Sequence, residues 1–138
     1  MVTGGLHFVW ETLHLPLYTL WKEGSLGEIL WDITSCTTAD IIIAAVSFST
    51  ALVVIAKSRD QPRQARRFSV WLLVTGLSIT IILEILNVYI WENWAYSEHM
   101  PIVPLLDVGL SPMAQWLVIP LLGLWWLKKK RGSPVAHA

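Results

Sequence analysis

The chain has 138 residues, 54% hydrophobic and 14% charged, with a formal net charge of zero and mean hydropathy of +0.55. That length sets a single domain, and the composition excludes an ordinary water-soluble one. The neutral balance, with its basic residues held in two short clusters, excludes a nucleic-acid groove, and the single cysteine, Cys36, excludes an intramolecular disulfide.

The N-terminal stretch MVTGGLHFVWE has neither a positive n-region nor a small-residue cleavage site, so it is not read as a signal peptide. Residues 4–21 form the first expected span. They carry His7, Glu11 and His14 at i, i+4 and i+7, which places all three on one helical face. A polar stripe of this kind belongs inside a bundle; the alternative is an amphipathic helix lying in the membrane interface. Residues 22–38 read as a connection, with a turn at Gly24–Gly27 and a short interfacial helix over Glu28–Ile33. Thr37-Thr38-Ala39-Asp40 has the form of a capping box and would open the second span, residues 39–56. On this reading Asp40 is more a helix cap than a site residue. Ala44, Ser47 and Ala51 give that helix a small-residue face suited to close packing in lipid.

A basic loop, Lys57–Arg67, holds five positive residues against the single acid Asp60. The third span, residues 68–91, contains 23 residues from Ser69 to Trp91 with one ionisable group, Glu84. A hydrocarbon core of ~30 Å is crossed by about that length. A carboxyl placed there must have protein or water partners. An acidic loop with Pro101 and Pro104 leads to the fourth span, residues 108–127, with Gln115 and a kink candidate at Pro120. Lys128–Arg131 end the domain (1–131), and residues 132–138 read as a disordered tail.

The two basic clusters hold nine of the ten Lys and Arg residues and lie an even number of spans apart. The positive-inside rule then predicts an all-α, integral membrane four-helix bundle with cytoplasmic N- and C-termini, multi-pass in a bacterial inner membrane. Trp71, Trp125 and Trp126 form the expected inner aromatic belt, and Trp21, Trp91 and Trp94 the outer one. Trp10 and Trp116 fall within the membrane, where an indole N–H seeks a partner.

At 1.5 Å per residue, Glu84 and Gln115 lie about 10 Å below the outer surface and His14 about 12 Å. Glu11 falls near the midplane and Asp40 near the outer interface. Thr80, Glu84, Asn87 and Trp91 share a stripe, so a polar pocket opening towards the outer leaflet is expected. The bland reading is that such groups only hold helices together, at roughly 0.6 kcal/mol each; for Gln115 it is the favoured one. For Glu84 and the pair His7/Glu11 the functional reading is favoured, because buried ionisable groups in membranes mark sites. A His and a Glu one turn apart in low dielectric suit proton transfer. They would also supply part of a metal site with His14, but without HExxH or a repeated His box no metal or other cofactor is expected. Neither a serine elbow nor a phosphate-binding glycine loop is present.

Leu6-His7-Phe8-Val9-Trp10-Glu11 resembles the His-x-x-x-Glu helix of the emopamil-binding sterol isomerase group, the EXPERA superfamily. Trp116-Leu117-Val118-Ile119-Pro120 resembles the Trp-Leu-Val-x-Pro of that group's last helix, and Glu84 stands where those proteins have an acid in the third. The matches cover about a fifth of the chain. Met113 replaces the family's Asn, and only Asp40 can stand for its second-helix Glu. The resemblance implies a four-helix membrane core with a cavity for sterol-like lipids. It also implies His7 and Glu11 shuttling a proton to and from a carbon–carbon double bond, with Trp116 stabilising the carbocation by a cation–π contact. The pattern from Trp10 to Tyr18 is also similar to that of small uncharacterised bacterial membrane proteins, which assigns no activity.

The expected function is therefore a pocket for a hydrophobic lipid- or terpenoid-like molecule, with double-bond isomerisation as its chemistry. Catalytic candidates are His7, Glu11 and Glu84; ligand-binding candidates are His14, Asp40, Asn87, Gln115 and Trp116. The runner-up is a non-catalytic accessory or scaffolding subunit of a larger membrane complex. A weaker third reading, proton- or metal-coupled transport, would require four short helices without an internal repeat to form homo-oligomers.

Overall fold

The computed structural model describes residues 2–57 and 63–132. The first helix, α1 (Val2–His14), spans 13 residues, about 20 Å of rise. It ends before Pro16, which lacks an N–H and would clash with the preceding turn. A 3-10 turn follows at Leu15–Leu17, then the one-turn α2 (Leu20–Glu23). The stretch expected to run as one span over residues 4–21 is thus a helix, a turn and a second short helix.

The second long helix, α3 (Leu26–Ala56, 31 residues), corrects the reading of residues 22–38 as a connection. Its capping box sits at Ser25 and Glu28, not at Thr37–Asp40: Glu28 N–H donates to Ser25 Oγ at 3.4 Å, and Ser25 N–H donates to Glu28 Oε2 at 2.8 Å. The threonines that resembled a helix start lie mid-helix instead. The Thr38 hydroxyl donates back to the Thr34 carbonyl at 2.7 Å without breaking the ladder, whereas Thr37 Oγ1 is buried without a hydrogen-bond partner among the described residues. Ser25→Ala is expected to cost about 1 kcal/mol, read as faster amide exchange confined to the first turn of α3.

After the basic loop comes α4 (Gln64–Ile85), which runs on into a single wide turn at Leu86–Ile90 of the π type. Its Asn87 Nδ2 donates to the Leu83 carbonyl at 2.8 Å. A two-residue antiparallel ladder follows, β1 (Ile102–Val103) with β2 (Val108–Gly109), pairing Ile102 with Gly109 and Val103 with Val108. The last helix, α5 (Leu110–Gly132), contains Pro120 and continues through the basic run Lys128–Arg131. The tail expected after the domain lies outside the described residues from 133 onward, as do residues 58–62 of the basic loop.

The chain is mostly helical, and the long helices close a cycle in which α3 packs on α1 and α4, and α5 on α4 and α1. Two stretches, Leu26–Ala56 and Gln64–Ile90, are long and apolar enough to cross a membrane. Many large apolar side chains face outward, while an unusual share of the buried residues is polar or ionisable. Leu13, Trp31, Ile42, Val53, Ile82 and Trp125 are exposed, while His7, Glu11, Asp40, Glu84 and Gln115 are buried. Contiguous apolar exposure on this scale marks a surface that meets something other than water.

One close approach fixes α4 against α5. Gly76 faces the ring of Trp116, and a Cβ at that position would overlap the indole. Residues 92–109 are tied across the turn after α1: Thr19 N–H donates to Ala95 O at 3.0 Å, Ser97 N–H to Leu17 O at 2.9 Å, and Ser97 Oγ to Pro16 O at 3.2 Å.

Candidate functional site

The polar stripe of α1 turns inward against α3 and α5, where it meets Asp40 and Gln115. Gln115, 2% exposed, is the hub. Its Nε2 donates to Asp40 Oδ2 at 2.6 Å and to Glu11 Oε1 at 3.0 Å, and it lies 3.0 Å from His7 Nδ1. His7 Nδ1 is also 3.1 Å from Asp40 Oδ2. The other Glu11 oxygen meets His14 Nε2 at 3.0 Å, and His14 Nδ1 lies 3.0 Å from Ser111 Oγ. Five residues from three helices therefore form one buried network: His7, Glu11, His14, Asp40 and Gln115. In such surroundings the hydrogen bonds are strong, and losing any partner is costly.

Glu84 belongs to a second set. Tyr96 Oη donates to Glu84 Oε2 at 2.6 Å and Tyr18 Oη to Oε1 at 3.4 Å, while Gly109 N–H donates to the Tyr96 oxygen at 3.0 Å. Burial and the Glu84 carboxylate push the Tyr96 hydroxyl well above its usual pKa, so it remains a donor. The Tyr96 phenol thereby helps pin the loop to the helix, alongside the Tyr89 hydroxyl, which donates to the Asp107 carbonyl, and Asn93 Nδ2, which donates to Asn87 Oδ1 at 2.7 Å. Tyr96→Phe is expected to leave Glu84 short of a partner and to cost about 1–3 kcal/mol, measured by denaturant unfolding in detergent.

Both sets border one small polar cavity of about 100 Å³, lined among others by Glu11, His14, Asp40, Glu84, Asn87 and Gln115. Thr80 Oγ1 and Trp94 Nε1, from residues that also line it, have no hydrogen-bond partner among the described residues. Asp40, expected near the outer interface as a cap, reaches this cavity from the middle of α3 because the helix starts earlier than expected. Among the described residues no group of three or more His, Cys, Asp or Glu side chains is arranged to hold a metal ion.

Trp116 lies elsewhere. It lines a separate apolar groove of about 760 Å³ between α1, α3, α4 and α5, together with Ile41, Ala45, Phe48, Leu72 and Ile119. His7 is the one titratable side chain lining it among the described residues, and its ring is tilted against Trp116 at 5.5 Å between centroids. Size separates the two spaces. Sites for small organic ligands run to ~300–1,000 Å³, so the groove has room for a lipid-like molecule and the polar cavity does not. His7 lines the groove and contacts Asp40 and Gln115, which line the polar cavity.

Sequence reasoning missed Tyr18, Tyr96 and Ser111, because their contacts are made by loop and helix-end residues with no periodic signal. It put Trp116 in the same pocket as the polar residues, whereas Trp116 lines a separate groove. In comparisons with known families, curated proteins and solved structures, nothing matched the chain.

Proposed function

We propose that this chain is a multi-pass protein of a bacterial inner membrane, with α1, α3, α4 and α5 forming a four-helix bundle and both termini cytoplasmic. Its groove would bind a lipid- or terpenoid-like molecule, on which His7 carries out double-bond isomerisation. The apolar outward faces support the membrane reading. So does the charge pattern of the sequence, in which two clusters separated by an even number of expected spans hold nine of the ten Lys and Arg residues.

One observation carries the functional reading: His7, the one titratable side chain lining the apolar groove among the described residues, is backed by the buried carboxyls of Asp40 and Glu11. In the reaction the His7 imidazolium gives its proton to one alkene carbon. The resulting carbocation is held beside the face of Trp116, where a cation–π contact favours it. Loss of a proton from the neighbouring carbon back to the imidazole shifts the double bond and restores the starting proton count. Glu11, bonded to Gln115 and His14, would exchange protons with the polar cavity behind. The resemblance of His7-x-x-x-Glu11 and Trp116–Pro120 to the EXPERA group supports the same chemistry.

The test is deuterium uptake. Purified protein is incubated in D₂O with an apolar lipid extract of the source membrane, and unsaturated species are followed by mass spectrometry. Wild type is expected to introduce solvent deuterium next to a double bond. His7→Ala and Glu11→Gln are expected to lower the rate at least 10²-fold while the fold persists. Unchanged rates in both folded variants, or no uptake by wild type, would reduce the network to helix packing, as in an accessory subunit.

A further inference from the structure

The hydrogen-bond inventory around Gln115 specifies more than a cluster. Its amide nitrogen has two protons but three neighbours: Asp40 Oδ2 at 2.6 Å, Glu11 Oε1 at 3.0 Å and His7 Nδ1 at 3.0 Å. Glu11 and Asp40 also contact each other; where Glu11 Oε1 and Asp40 Oδ2 carry no proton they can only accept, and they take both amide protons. His7 Nδ1 then has no proton to accept from Gln115, and it faces Asp40 Oδ2 at 3.1 Å. Two bare acceptors at that distance repel, whereas an Nδ1–H pointing at the carboxylate makes a charge-assisted bond. Exchanging the amide's oxygen and nitrogen would only set a carbonyl against the same acceptors. Every polar contact of the His7 ring among the described residues is through Nδ1.

We propose that Asp40 is a positioning residue that holds neutral His7 in the Nδ1–H tautomer, so that its bare Nε2 is the proton acceptor offered to the groove. The carboxylate–imidazole pair sets both which nitrogen is basic and how the ring is turned, as an orienting carboxylate does in other acid–base sites. Gln115 contributes by occupying the second lone pair of Asp40 and by tying it to Glu11. This assignment deepens the isomerase reading and rests on it for its catalytic meaning, but the tautomer itself is a property of the unliganded protein.

Nitrogen-15 NMR of histidine-labelled full-length protein in lipid nanodiscs measures it, with the His7 signals assigned by their loss in His7→Ala. Protonated and bare ring nitrogens resonate far apart, so the tautomer is read directly once pH has been raised until the ring is neutral. Wild type is expected to show Nδ1 protonated and Nε2 bare. Asp40→Asn, whose amide can donate to Nδ1, is expected to reverse that pattern and to lower kcat for deuterium uptake roughly 10³–10⁴-fold with KM little changed. Asp40→Glu is expected to restore the wild-type pattern. A bare Nδ1 in wild type, a ring that stays doubly protonated, or an Asp40→Asn spectrum identical to wild type would overturn the proposal. A bare Nδ1 in wild type overturns the proposal whether or not the variants fold, and the conservative Asp40→Glu keeps the dependence on this carboxylate testable if Asp40→Asn does not. An Nδ1–H tautomer in a protein without deuterium uptake would reject the isomerase reading and leave the role of Asp40 standing.

Discussion

Replacing Gln115 with leucine is expected to destabilise the protein by about 3 kcal/mol or more. The substitution preserves volume and apolar packing, so the loss is electrostatic in origin. Gln115 supplies donors to Asp40 and Glu11, two carboxyls 7% and 6% exposed. Leucine would leave each carboxyl one donor short, with His14 remaining beside Glu11 and His7 beside Asp40, and an unmet buried acceptor costs about 1–3 kcal/mol, more for a charged group. Removing Asp40 as well should recover part of the loss. The double variant Gln115→Leu, Asp40→Leu is expected to be more stable than the sum of the single changes predicts, as coupled neighbours are. Denaturant unfolding in mixed micelles, followed by circular dichroism, measures all three.

Gly76→Leu is expected to be nearly as damaging, for a steric reason. The indole of Trp116 lies against the Gly76 backbone, and a side chain there must displace the ring or part α4 from α5. Overpacking of a filled contact costs about 1–3 kcal/mol. Here the displaced ring also lines the groove, so ligand binding should weaken along with stability. Trp116→Ala in the same chain should relieve the clash and recover stability without recovering binding. If Gly76→Leu alone is as stable as wild type, helices α4 and α5 do not meet as described.

The parts of this arrangement that could be read from residues alone are those that repeat along a helix. His7, Glu11 and His14 stand at i, i+4 and i+7, and that spacing was enough to put them on one face. Glu84 was conspicuous because an apolar run has no other acid. Asp40 was misjudged for a local reason: Thr-Thr-Ala-Asp is a good capping sequence, and nothing nearby says that Ser25 and Glu28 form a better one. The Tyr96–Glu84 bond and the Gly76–Trp116 contact depend on how separate segments come together, which periodicity does not encode. The groove was hidden for the same reason, since apart from His7 and Trp116 its walls are mostly glycines, alanines, aliphatic residues and phenylalanines that look like any lipid-facing surface.

Native mass spectrometry of protein purified in a mild detergent tests the groove most directly. A stoichiometric adduct with the mass of an apolar lipid or terpenoid is expected on wild type and on Glu84→Gln, whose change lies in the other cavity. Ala45→Trp, which fills the groove, is expected to abolish it. Wild-type protein that carries no such adduct, or an adduct that survives Ala45→Trp, would contradict a hydrophobic ligand bound beside His7.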